Sequence, residues 1–234
     1  MTTHNTIKPV NIARWVGGSL LATIVIGIVG AMTISHGIDI NLSADVSATA
    51  ENMLDTKTRL EAKAYISLLL FGLGVLVNLG LYLLLKSSGP LLAGWSLLIG
   101  LGAAIQSLMG AMFAMNAAQI AGNSAYTTLT DADGRLLLAG LQATSDYTSF
   151  HLSLVLSSIA NAGFFVLLLR SGLIPKLIAG FGVFASLFVA VTIVARGFIP
   201  ALGANPITMA FMLCNFVAMV SLALYLLIKG VREV

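Results

Sequence analysis

The chain has 234 residues, of which 58% are hydrophobic and only 9% charged, with a mean hydropathy of +0.99. Soluble domains carry about 25% charged residues, so a chain this depleted cannot cover a water-facing surface, and a bilayer must be its solvent. Its formal charge of +3 sorts by membrane side and reports topology, not nucleic-acid binding. The single cysteine, Cys214, excludes an intramolecular disulfide and a thiolate cluster for zinc or iron and sulfur.

A helix needs roughly 20 apolar residues to cross about 30 Å of hydrocarbon, and six charge-free windows of that order occur. The first, Trp15 to Ile34, gives a span at 12–35. Lys8 and Arg14 precede it as in a secretion signal, but it outruns the roughly 7 to 15 apolar residues of such a core, so it counts as a span. An outer segment, 36–61, follows, and within it Ser43 to Leu54 reads as a short helix lying at the interface. Thr58-Arg59-Leu60-Glu61 has the form of a capping box opening the second span, 62–86, whose window is Ala64 to Leu85. Pro90 sits where a first helical turn should begin, and the third span runs over 90–118.

A second outer segment, 119–145, holds Arg135 to Leu141, too short to cross and read as a helix leading into the fourth span, 146–170. Its Asp131-Ala-Asp-Gly134 resembles the opening of a calcium loop but lacks the later ligands of that motif, so no metal is assigned. Pro175 opens the fifth span, 175–199. Asn205 is a natural cap for the last, 205–229, with Pro206 behind it. Hydrophobicity here is continuous, not alternating, which argues against a β-barrel. The expected fold is an all-α integral membrane protein, a six-transmembrane-helix bundle forming a single transmembrane domain over 1–234.

Basic residues set its orientation. With a cytoplasmic N-terminus and C-terminus, the inner side receives Lys8, Arg14, Lys86, Arg170, Lys176, Lys229 and Arg232 against Glu233 alone. The outer side holds Lys57, Arg59, Lys63, Arg135 and Arg196 against the remaining eight acidic residues. The basic residues in the tight inner turns at 86–90 and 170–176 support the same sense.

Three stretches carry a family likeness: Ala48-Thr-Ala-Glu-Asn52 before the second span, Leu81-Tyr-Leu-Leu-Leu-Lys86 at its end, and Arg170-Ser-Gly-Leu-Ile-Pro-Lys176 between the fourth and fifth. In this order and spacing they resemble an uncharacterised family of multi-pass bacterial membrane proteins, domain of unknown function 4386, over roughly residues 12–195. The resemblance implies a bacterial cytoplasmic (inner) membrane. It supplies no activity and no catalytic residue.

Absences narrow the chemistry. No carboxylate lies within a charge-free window, which argues against coupled transport, and no mid-span lysine offers a Schiff-base anchor. The Gly94-Trp-Ser-Leu97 string lacks the second glycine of a rhomboid-like nucleophile, and neither Gly-x-Gly-Asp nor His-Glu-x-x-His occurs. On the third span Gly100, Ala104, Ser107, Ala111, Ala114 and Ala118 recur at steps of four and three and give a small-residue packing face, with Leu108 turned outward. Gln106, Asn78, Asn161 and Asn215 read as interhelical hydrogen-bond partners, and Met109, Met112, Met115, Met209, Met212 and Met219 as core or as the wall of an adaptable apolar pocket.

The fourth span carries a polar stripe. Tyr147, His151, Ser158 and Asn161 fall within about 80° of one helical face, running inward from the outer surface, with Arg196 and His36 at neighbouring outer ends. The bland reading makes His151 a packing residue and lets Arg196 snorkel to headgroups.

The functional reading is an outward-facing polar cavity for a lipid-like or small amphiphilic molecule, bounded by His151, Arg196, Tyr147, Ser158, Asn161 and Gln106. Asp146 or Glu61 would then serve as counter-ion to Arg196. A haem held by His36 and His151 is a further alternative; no other cofactor is expected. The chain therefore reads as a non-catalytic membrane protein, a binder of such a molecule or a subunit of a homo- or hetero-oligomer in contact with membrane lipids. The competing classes are a membrane-embedded enzyme with a site near His151 and Arg196, and a small-solute channel or transporter.

After removal of Cys214, single cysteines at positions 88 and 173 should be protected from an impermeant reagent applied outside, while those at 50 and 125 react. Reversed accessibility of the two pairs would invert the orientation.

Overall fold

Inside hydrocarbon every backbone N–H and C=O needs a partner within its own segment, and a continuous helix supplies one. The structure, a computed structural model, describes residues 8–43 and 45–232; it is 87% helical, and no strand occurs among those residues. Ala44 and Glu233, the latter used above in the inner charge balance, lie outside them.

In chain order the helices are α1 (Pro9–Thr33), α2 (Ile40–Ser43), α3 (Val46–Asp55), α4 (Lys57–Leu85), α5 (Pro90–Gly122), α6 (Ser124–Leu129), α7 (Ala132–Ser171), α8 (Lys176–Ala195) and, after a 3-10 turn at Pro200–Gly203, α9 (Asn205–Ile228). Six of them, α1, α4, α5, α7, α8 and α9, are long and apolar enough to cross a membrane.

Local chemistry sets most of the ends. Pro90 is the first residue of α5, and Pro175 immediately precedes α8. The Asp45 carboxylate accepts from the amides of Ser47 (2.9 Å) and Ala48 (3.4 Å) and starts α3. Asp131 accepts from the Gly134 amide at 2.9 Å and starts α7, so the acidic pair that resembled a calcium loop opens a helix. Gly172, with φ +67°, makes the left-handed turn out of α7 that a side chain would resist.

Two expected caps differ. The carbonyl of Thr56 already accepts from the amides of Arg59 (3.0 Å) and Leu60 (3.2 Å), so α4 begins at Lys57 and the Thr58–Glu61 box lies within its first turn. The amides of Ile207 and Thr208 both reach the Ala204 carbonyl, at 3.0 and 3.1 Å, which makes Ala204 the cap of α9 and Asn205 its first helical residue. Arg135–Leu141 does not precede a separate helix: it is part of the 40-residue α7, about 60 Å long.

The chain divides into two compact units. Of the described residues, one comprises 8–24, 73–103 and 154–232; the other comprises 25–43, 45–72 and 104–153. The first has a core of Phe164, Phe165, Leu167 and Leu168 from α7, Leu85 from α4, Leu226 from α9 and Val16 from α1, each no more than 2% exposed. Close approach is built in, because a Cβ on Gly182 of α8 would overlap the Phe165 ring and one on Gly17 of α1 would meet the backbone of Ala223 and Leu227 on α9.

In the second unit, Ile38, Met53 of α3, and Leu60 and Ala64 of α4 pack with Ala111, Ala114, Ala117 and Ala118 of α5 and Ala143 of α7. The first outer segment is therefore not a loose loop, and its helix α3 buries Thr49, Ala50 and Met53. A labelling residue there belongs at exposed Ser47, not at buried Ala50.

The α5 small-residue face is buried at Ala111, Ala114 and Ala118, but Ser107 on the same face is exposed. Leu108 is not the outward residue expected, since it packs against the Ala111–Ala118 cluster; Met112, 60% exposed, takes that place. Asn78 likewise departs from its expected role, its amide donating to the Gly74 carbonyl of its own helix at 2.8 Å. Of the six methionines on α5 and α9 considered above, Met109, Met112, Met209 and Met212 are exposed, Met115 packs partly buried against the Ala111–Ala118 cluster, and Met219 is core. These exposed side chains, with Leu91, Leu98 and Val191, would be an aggregation hazard in water and suit a face in contact with acyl chains.

Ala111→Leu should overpack the α5 seam and lower stability in detergent by about 1 to 3 kcal/mol, read as a lower thermal midpoint, while Met112→Leu changes little. Equal losses at both positions would mean that the seam is misassigned.

Candidate functional site

The densest concentration of buried charge lies in the second unit, where Lys63 meets two carboxylates. Its ammonium stands 2.5 Å from Asp146 Oδ2 and 3.4 Å from Asp39 Oδ2. The side chains are largely withdrawn from solvent, at 11% exposure for Lys63, 16% for Asp146 and 20% for Asp39. Each comes from a different element. Asp39 sits in the turn between α1 and α2, Lys63 on α4 and Asp146 on α7.

The surrounding sequence fixes each one. Asp39 Oδ1 accepts from the backbone amide and side-chain amide of Asn41, both at 3.0 Å, which points Oδ2 at Lys63. Arg59 of α4 donates to the carbonyls of Ile34, at 3.0 and 2.7 Å, and of His36. That cation satisfies carbonyls following the C-terminus of α1, where a positive charge is favoured, and anchors the turn carrying Asp39. Opposite Asp146, α5 has Gly110; a Cβ there would crowd Asp146 Oδ1 and force the carboxylate to shift, so glycine leaves it room beside Lys63.

The three charges open into a cavity of about 230 Å³. Its polar end has Asp39, Lys63 and Asp146, with the hydroxyls of Ser35, Ser67 and Ser107 along the wall. Its apolar side is made by Gly27, Gly30 and Ala31 of α1, Ile66 and Leu70 of α4, and Phe150 of α7. Two carboxylates against one ammonium leave a formal surplus of one negative charge, so the polar end favours a cation. Lys63 and Asp146 stand at the first position before the charge-free stretches of α4 and α7, at the boundary between polar and apolar segments.

The residues singled out from sequence fall into two groups. Gln106, Tyr147 and His151 belong to the second unit; Ser158, Asn161 and Arg196 belong to the first. Gln106 and Ser149 tie α5 to α7, the Ser149 hydroxyl donating to the Gln106 carbonyl and the Gln106 amide donating to Ser149 Oγ at 3.4 Å. The His151 ring lies 4.1 Å from that of Tyr147 and 5.6 Å from that of Phe150. Its Nδ1 is 2.8 Å from the Tyr147 carbonyl, and because a carbonyl only accepts, that nitrogen carries the proton.

None of these three lines the cavity, although their helix neighbours Ser107, Asp146 and Phe150 do. Ser158 is buried on α7, Asn161 is half-buried, and Arg196 is half-buried at the C-terminus of α8. The two counter-ions suggested for Arg196 are engaged elsewhere, Asp146 with Lys63 and Glu61 with Lys57 at 3.8 Å. His36 is exposed, and among the described residues no group of three or more His, Cys, Asp or Glu could hold a metal ion.

The family model described as "Domain of unknown function (DUF4386)" matches residues 15–230. The chain belongs to this family. The match reaches past the three motifs that first carried the likeness and includes α9. Neither the curated proteins nor the solved structures contain a match to the chain. The DUF4386 assignment thus brings a multi-pass membrane character and no activity, and the chemistry rests on the Lys63 cluster.

Only Lys63 and Asp146 together make burial tolerable, because removing one partner of a buried pair strands the other. Lys63→Met should destabilise the protein by about 3 kcal/mol, and adding Asp146→Leu should recover most of it, measured as thermal midpoints in one detergent. A single variant as stable as the parent would show that the pair is dispensable.

Proposed function

We propose that this DUF4386 chain is a non-catalytic protein of the bacterial cytoplasmic membrane that binds a small amphiphile with a cationic head. The observation that carries this reading is the cavity itself. A polar end with surplus negative charge adjoins an apolar wall of α1 and α4, at the step from polar to apolar sequence. A head bearing an ammonium group would pair with Asp39 or Asp146, and the first part of its tail would lie along Ala31, Ile66 and Leu70. A cavity of about 230 Å³ is below the roughly 300 to 1,000 Å³ of drug-sized sites, so it suits a headgroup and not a whole lipid.

In the orientation favoured by the basic inner turns the cavity faces outward. Tyr147 and His151 then act from behind it, His151 packing edge-on to Phe150, while the stripe from Ser158 to Asn161 and Arg196 lies outside this pocket's wall. The pairing of Lys63 with both carboxylates gives the site its preference, since it holds two acceptors in place while neutralising only one.

The test uses purified protein in a non-ionic maltoside. Decyltrimethylammonium should raise the thermal midpoint, and decyl sulfate at the same concentration should not. A ligand at 100 times its Kd stabilises by about 2.7 kcal/mol, several degrees for a chain of this size. Asp39→Asn should remove the selective shift while leaving the unliganded midpoint nearly in place, because Asp39 is the more distant and more exposed of the two carboxylates. Equal shifts with both surfactants, or full retention of the selectivity in Asp39→Asn, would sink the proposal.

A further inference from the structure

A second cleft, of about 720 Å³, lies in the first unit. Two cationic residues, Lys8 and Arg232, line it together with three serines, Ser87, Ser88 and Ser171, and no carboxylate of the described residues is on its wall. Its remaining surface is mostly aliphatic, with Ile12 of α1 and Leu84 of α4 as examples. The first unit thus assembles, from four separate stretches of chain, a cleft whose charge is opposite to that of the Lys63 cavity.

The placement of these groups is structural. Lys8 immediately precedes α1, and its carbonyl accepts from the amides of Asn11 (2.9 Å) and Ile12 (3.3 Å). Arg232 is held by its backbone amide, which donates to the Leu173 carbonyl at 3.0 Å, so the chain following α9 is pinned beside the turn that follows α7. Ser171 is the last residue of α7, and Ser87 and Ser88 follow the end of α4. Helix C-termini expose carbonyls and alone would repel an anion. Lys8 and Arg232 reverse that sign, and no ion pair of either is formed among the described residues.

We propose that this cleft binds the phosphate headgroup of an acidic phospholipid. Phosphate is the anion that fits a guanidinium fork, an ammonium and the hydroxyls of Ser87 and Ser88 at once, Ser171 donating to the Leu168 carbonyl at 3.2 Å. The aliphatic wall supplies a surface for the glycerol and the first methylenes of the chains, which a free phosphate would leave unused. The volume is also several times that of one phosphate group, whereas a diacylglycerol phosphate fills it with head and upper chain. This site is independent of the Lys63 cavity and takes the opposite charge.

The test is delipidated full-length chain in maltoside, titrated with dioleoylphosphatidylglycerol or dioleoylphosphatidylcholine and read by native mass spectrometry. The acidic lipid should bind roughly thirtyfold tighter, as expected for two basic residues near a headgroup. Lys8→Gln with Arg232→Gln should erase that preference. Both residues are exposed, and an unchanged circular dichroism spectrum and gel-filtration volume confirm the fold.

Lys176→Gln, an exposed basic residue not on the cleft wall, should keep the preference. Equal binding of the two lipids by the parent chain, or a preference that survives the double substitution, overturns the assignment. A loss as large in Lys176→Gln overturns it too, by making the selectivity a diffuse surface charge. Inorganic phosphate that displaces the acidic lipid completely at millimolar concentration would identify a free-anion site and reject the lipid.

Discussion

The constraint on which everything else depends is that hydrocarbon offers the backbone no hydrogen-bond partner. Each crossing must therefore be a complete helix, and once it is, helices gain little from hiding leucine from a solvent as apolar as leucine. Their association relies on shape and on the few polar contacts available. The consequences are visible in both units. Gly182 admits the Phe165 ring and Gly17 admits the backbone of α9, while Ala111, Ala114, Ala117 and Ala118 make the α5 surface flat enough for close packing. Large apolar side chains such as Leu91 and Leu98 are left facing out.

Against that background a buried lysine with two carboxylates is conspicuous. Desolvating three charges is costly, and the attraction between them offsets the cost only with good geometry. The fold invests several residues in that geometry. Asn41 orients Asp39, Arg59 fastens the turn that presents it, and Gly110 clears the path for Asp146. Nothing in helix packing requires such a cluster, since an apolar trio of similar volume would pack as well. Ionisable groups held at the edge of an apolar layer are usually retained for what they bind or conduct, and the adjoining cavity supplies the space for a ligand.

The two clefts also show how a chain with 9% charged residues distributes them. One collects two acids and a base, the other two bases and serine hydroxyls. Opposite surpluses would select opposite headgroups, and neither selection needs a catalytic group. His151 fits the same picture, because its protonated Nδ1 is occupied by the Tyr147 carbonyl and its ring packs tilted against Tyr147 and edge-on to Phe150.

Helix number and approximate position were legible in the sequence because twenty charge-free residues in a row have one stable form in a bilayer. Pro90 and Pro175 marked helix starts for an equally local reason, the missing amide. The expected caps at Thr58 and Asn205 were displaced because neighbouring carbonyls, of Thr56 and Ala204, captured the amides first, a competition that residue type alone does not resolve. In sequence Asp146 reads as a counter-ion in want of an arginine, and Lys63 as one more outer charge. Only tertiary structure could pair them, since 83 residues separate them and their meeting depends on how α4 and α7 are rotated about their axes. Periodicity describes a face of one helix, whereas which faces meet is decided by side chains on several helices at once, here by the absence of one at Gly110.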